Sequence, residues 1–234
     1  MRASFLRCTT LHRHPRTPTN RKLCRPRLFQ ELLYSGYYKG HGLKFQSIVS
    51  PCGLVLDLYG PEMGRRNDIW LWYRSRVGEA MDALPLHPNG GRYVLYGDSA
   101  YRKAGAADHI ACAFPRTRPL SVMERAFNKS YNKCRVVVEW AFGHVYSLWA
   151  SFRYLPSLKT GQSNIGRRFL AAVLLYNFRT CLNKGNQISL YYNIAPPTLA
   201  AYIAGPRPPR ARWADEEDMY VHVLAHAYGG NDSD

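Results

Sequence analysis

Hydrophobic positions in the first half of the chain fall into short runs cut by Gly, Pro and polar clusters. "LKFQSIVSP" (43–51) and "GLVLDLYG" (53–60) flank a Pro-Cys-Gly step, the pattern of two strands joined as a hairpin. "RYVLYGDS" (92–99) and "HIACAF" (109–114) predict two further strands, the second stopped by Pro115. Between them, Ile69, Trp72, Tyr73, Val77, Ala80 and Leu84 recur at helical spacing, and Asn67 or Asp68 is placed to cap that helix. The second half changes period. A long, mostly buried helix is predicted near 131–149 from Val137, Val138, Trp140, Ala141, Val145, Leu148 and Trp149, and another over 165–182 from Ile165, Phe169, Val173 and Tyr176. "IAPPTLAAYIAGPRPPRAR" (194–212) reads as a Pro-rich linker, and 213–230 as a short helix stopped by Gly229. Hairpin, helix, strand, strand, helix, helix is an α/β order, satisfied by a mixed sheet with helices packed on it.

Charge adds a partner class. The 234 residues carry 32 Lys and Arg against 16 Asp and Glu, a net charge of +16. The excess is segregated. Residues 1–30 contain Arg2, Arg7, Arg13, Arg16, Arg21, Lys22, Arg25 and Arg27 and no acid, and 140–214 again holds no acid. Such a field attracts polyanions, nucleic acid foremost. Residues 1–33, broken by Pro15, Pro18 and Pro26, read as a basic arm. Its composition fits a nuclear signal or phosphate clamp, with a mitochondrial presequence as the alternative. The six cysteines form no C-x-x-C pair, so neither a zinc site nor a disulfide framework is expected. His222 and His226 lack a third ligand nearby in sequence. No apolar run reaches the roughly 18 residues of a membrane span, and a soluble chain is expected.

Two acids stand out. Asp98 ends the strand-like "YVLY" run, where a carboxylate does nothing for a core; a Gly-Asp-Ser turn is the simpler use of the same residues. Glu139 sits among apolar residues of the long helix, where a buried charge needs a partner or a metal. Arg135, one helical turn earlier, is a ready partner, and Gly143, one turn later, leaves the other side open.

Together, "LYSGYYKGHGLKFQSIVSPCGLVLDLYGP", "NDIWLW", "YVLYGDSAYR" and "FNKSYNKCRVVVEWAFGHV" resemble the catalytic domain of PIF/Harbinger-type transposases and their domesticated nuclease relatives, over residues 24–182. The resemblance implies an RNase H-like mixed sheet flanked by helices and a DDE site holding Mg²⁺ or Mn²⁺. The second acid then falls on Asp98, the third on Glu139, and Asp68 on a supporting acid. Carboxylates suit hard divalent cations, which activate a nucleophile and stabilise the leaving oxygen of a phosphodiester. DNA is the implied partner, with Lys129, Lys133, Arg135, Lys39 and Lys44 as candidate contacts, alongside Tyr37 and His41. A separate Myb-like DNA-binding protein and a nuclear location are implied as well.

One departure matters. The family's first acid belongs on the opening strand, usually as Asp-Gly-Thr shortly before "CRP", and here that place reads "TPTNRKLCRPR". No acid precedes Glu31, and Asp57, alternating with Leu56 and Leu58, is expected to face solvent. The expected organisation is a basic arm at 1–33 (a truncated or replaced domain start), a nuclease-like domain at 34–183 with an incomplete or altered first strand, and a linker with a short helix at 184–234. The expected function is a metal-dependent DNA endonuclease impaired by the missing acid; the alternative is a nuclease-dead nucleic-acid-binding protein.

Overall fold

The computed structural model describes residues 4–12 (by their backbone), 31–36, 39–87, 90–103, 109–152 and 164–205. Six strands form one sheet: β1 (Ser4–His12), β2 (Tyr34–Ser35), β3 (Gly40–Val49), β4 (Val55–Met63), β5 (Leu95–Tyr96) and β6 (Ile110–Ala111). The predicted hairpin is β3 and β4, antiparallel, with register shifts between Lys44 and Gln46 and between Ile48 and Val49. Gly60 sits beside the first shift with φ 134°; a Cβ there would stand 2.7 Å from the Lys44 carbonyl oxygen, so only glycine lets the two strands close.

β1 is the main departure from expectation. It lies inside the stretch read as a basic arm, yet it runs through the middle of the sheet, antiparallel to β3 and parallel to β5. "SFLRCTTLH" contains Phe, Cys, two Thr and two Leu, all compatible with a pleated strand, but its arginine and histidine hide any clean alternation. The first strand, expected to be incomplete or altered, is a nine-residue strand paired on both sides. The strand order is β4–β3–β1–β5–β6, with β2 joined to the start of β3.

Helices cover both faces. α1 (Asp68–Ser75) and α2 (Val77–Asp82) replace the single helix predicted from 67 to 84. Asn67 caps α1 by accepting the Trp70 N–H at 2.7 Å. Arg76, at φ 53°, adopts the left-handed conformation and splits the two helices. α3 (Val122–Leu148) starts nine residues before the predicted long helix, at a capping box in which Ser121 and Glu124 satisfy each other's backbone N–H groups. Its first turns hold Val122, Met123, Ala126 and Phe127, which stay exposed instead of joining the core, while the S-x-x-E signal marks the start. α4 (Ile165–Leu182) matches its prediction. Two short helices, α5 (Gln187–Tyr192) and α6 (Leu199–Ala204), fall where a linker was expected, each opened by a side-chain cap, Asn186 and Thr198. The predicted helix at 213–230, with His222 and His226, lies outside the described residues.

Two cores result. Phe45, Val49 and Leu58 meet Val137, Ala141, Phe142 and Val145 of α3 and Phe169, Val173 and Tyr176 of α4 on one face. Phe169 is fully buried, with its ring within 6.2 Å of the rings of Phe45, Phe142, Tyr146 and Phe152. On the other face, Ile48, Tyr59, Leu95 and Ile110 meet Leu71 and Trp72 of α1 and Val77 of α2. Among the described residues no helix is long and apolar enough to cross a membrane.

Candidate active site

Asp98 follows β5 directly. Gly97 closes the strand by donating its N–H to Ala111 at 3.0 Å. A Cβ at Gly97 would stand 2.5 Å from Cγ2 of Ile110, so the approach of β6 demands glycine. Asp98 is half-buried, and its Oδ1 accepts the Ser99 N–H at 2.5 Å and the Ser99 hydroxyl at 3.2 Å. Its carbonyl accepts the Tyr101 N–H at 3.0 Å and the Cys112 thiol at 3.2 Å. The turn use of Asp98 is thus real: one carboxylate oxygen starts the 3₁₀ turn Ser99–Lys103.

Tyr131 ties the long helix to this strand end. Its hydroxyl donates to the Gly97 carbonyl, and its ring lies 5.7 Å from that of Tyr96. Glu139 is eight residues further along α3, about 12 Å of helix rise. Glu139 is exposed, not buried as its apolar neighbours suggested. Val137, Val138, Ala141 and Val145 point into the core, and the helical period turns 139 and 143 outward. A Cβ at Gly143 would meet nothing within 4 Å, so the open side expected beside Glu139 is present.

Asp68 is placed differently. It opens α1 and forms an ion pair with Lys44, whose ammonium also donates to the Arg66 carbonyl at 2.9 Å. Lys44 is 14% exposed, so this candidate phosphate contact is committed inward. Among the described residues no three His, Cys, Asp or Glu side chains form a group able to hold a metal. Asp57, expected to face solvent, is half-buried, and burial pushes its carboxyl up to about 6. Lys39, Lys129 and Lys133 are exposed, as DNA contacts must be. The Arg135 side chain, Tyr37 and the 17–20 stretch expected to hold the first acid lie outside what is described.

Sequence reasoning passed over Asn128. It is buried, and its amide accepts the Phe114 N–H at 2.7 Å and donates to the Phe114 carbonyl at 3.0 Å, clamping the chain after β6 onto α3. The Phe-Asn pair in "RAFNKS" was the available signal.

The family model described as DDE superfamily endonuclease matches residues 17–177, taking in Asp68, Asp98, Asn128 and Glu139. The chain belongs to the DDE superfamily endonucleases. The family is one of nucleases of transposase type, which act on DNA and typically use divalent metals. The match begins after β1, so the central strand comes from outside it. No curated protein and no solved structure matches the chain.

The described residues do not assemble the acid cluster of a two-cation centre. Each such cation takes about six oxygen ligands, one or two from carboxylates and the rest from water and substrate phosphate. Asp98 and Glu139 supply two carboxylates, with one Asp98 oxygen engaged by Ser99. Neither β1 nor 17–20 contains an acid.

Proposed function

We propose that this chain is a transposase-derived DNA-binding protein of PIF/Harbinger type, on an RNase H-like sheet, with phosphodiester cleavage impaired to the point of loss. The observation that carries this reading is the register of the central strand. β1 pairs with β5 at Ser4–Leu95 and Phe5–Tyr96. Continuing two residues on, position 7 comes level with position 98, and position 7 is arginine. A third carboxylate is missing where the sheet brings the central strand beside Asp98. The strand order, with an antiparallel β1–β3–β4 meander on one side and parallel β5 and β6 on the other, supports the RNase H-like assignment. A net charge of +16 supports polyanion binding without metal. Nuclear location and a Myb-like partner are part of this proposal, carried over from the PIF/Harbinger resemblance.

Two measurements test it. Purified protein with Mg²⁺ or Mn²⁺ is expected to nick supercoiled plasmid no faster than its Asp98→Asn or Glu139→Gln variants. In EDTA it is expected to bind DNA with an affinity that falls steeply with salt. Nicking by the wild type that both variants lose overturns the loss of cleavage; absence of DNA binding at low salt overturns the binding role.

A further inference from the structure

We infer that the cleft between the 115–121 loop and the first turns of α3 is a binding site for single-stranded DNA. The inference rests on the DNA-binding reading above and names where and in what form the nucleic acid sits. The cleft encloses about 500 Å³ and is lined by Arg116, Arg118, Arg125, Asn128, Lys129 and Asn132. Arg118 is neutralised by Glu124, at 2.5 and 3.0 Å. Arg125 is held in place by its hydrogen bond to the Leu120 carbonyl at 2.8 Å. Arg116, Arg125 and Lys129 have no carboxylate partner among the described residues. Three unmatched cations around a groove fit a phosphate backbone.

The second observation is aromatic. Phe114 and Phe127 are 40% and 37% exposed and meet edge to face at 5.3 Å. Phe127 stacks on Tyr131 at 5.9 Å, and Tyr131 bonds the Gly97 carbonyl beside Asp98. Asn128, a wall of the cleft, clamps the Phe114 backbone, so the rings are fixed relative to the cations. Large apolar rings normally go inside; half-exposed ones beside a cationic groove are stacking surfaces for bases. Duplex DNA keeps its base faces stacked, so only unpaired bases use them. Tyr131 is itself buried, so it braces Phe127 from behind and the two phenylalanines alone offer a face to a base.

Fluorescence anisotropy on the full chain, with labelled oligodeoxythymidylate and a duplex of equal length, tests the inference. We expect tighter binding of the single strand. Phe127→Leu, which keeps apolar packing but removes the flat face, weakens single-strand binding about tenfold and leaves duplex binding unchanged. Phe114→Leu does the same and serves where Phe127→Leu perturbs the melting transition. Arg116→Ala with Lys129→Ala lowers the slope of log affinity against log salt by about 1.4, two phosphate contacts at about 0.7 each on single strands. Equal or tighter duplex binding, or leucine variants that bind both forms like the wild type, overturns the inference while leaving general DNA binding standing. Failure to bind either form overturns both.

Discussion

Two carboxylate neighbourhoods lie on this sheet and are built in opposite ways. On the α1 face, Glu62 is 5% exposed, accepts the Tyr59 hydroxyl at 2.7 Å and lies near the Arg74 and Arg66 guanidiniums. Arg66 and Arg74 lie 4.5 and 5.5 Å from the Trp70 ring, and Asp68 pairs with Lys44 alongside. Opposite charges lie close together there, although the buried Nε of Arg66 has no hydrogen-bond partner among the described residues. At the β5 end, Asp98 is half-buried and Glu139 exposed, on elements joined through Tyr131 and Gly97. The contrast teaches that acid count alone does not locate chemistry. Asp68, a supporting acid by the family resemblance, is in an ion pair with Lys44.

The largest effect should come from breaking the buried neighbourhood. Glu62→Ala strands the Tyr59 hydroxyl and leaves the arginines uncompensated, and should destabilise the protein by about 3 kcal/mol in urea unfolding. Its DNA affinity should stay unchanged. Loss of affinity in a folded variant would mean the two neighbourhoods are not separate.

Asp57 sharpens the same contrast through pH. Its carboxyl is raised to about 6, with burial the main cause. The folded state then holds a proton that the unfolded chain, titrating near 3.9, has released. Stability from this group is fully present below about pH 4 and is lost as pH rises through about 6. Asp57→Asn should therefore stabilise the protein by about 1–2 kcal/mol at pH 7.5 and flatten the decline between pH 4 and 6. An unchanged pH profile would show that Asp57 is solvated.

The smallest effect concerns the open side of Glu139. Gly143→Ala meets open space and should raise helix stability by up to about 1 kcal/mol. If the melting temperature rises and DNA binding is retained, the gap beside Glu139 is spare room; a loss of binding would make it part of the DNA path.

Much of this was legible along the chain, for local reasons. The β3–β4 hairpin, α4 and the core half of α3 follow from periodicity, and Asn67 from capping chemistry. Asp98 and Glu139 were found because each breaks its local apolar pattern. Three features were decided by tertiary structure alone. β1 is a central strand because β3 and β5 each lend it a hydrogen-bonding edge; its mixed composition gives no periodic signal of that. Glu139 faces outward because the packing of α3 on the sheet chooses which helical face is buried, and a stripe of valines on both sides of it does not. Lys44 turns inward because α1 brings Asp68 against it from 24 residues away in sequence. The sequence determined the β3–β4 hairpin, α4 and the absence of any acid before Glu31, since these are properties of residue type and spacing. Only the folded sheet decided that β1 runs between β3 and β5 and that Lys44 meets Asp68, because register and packing join residues that sequence keeps apart.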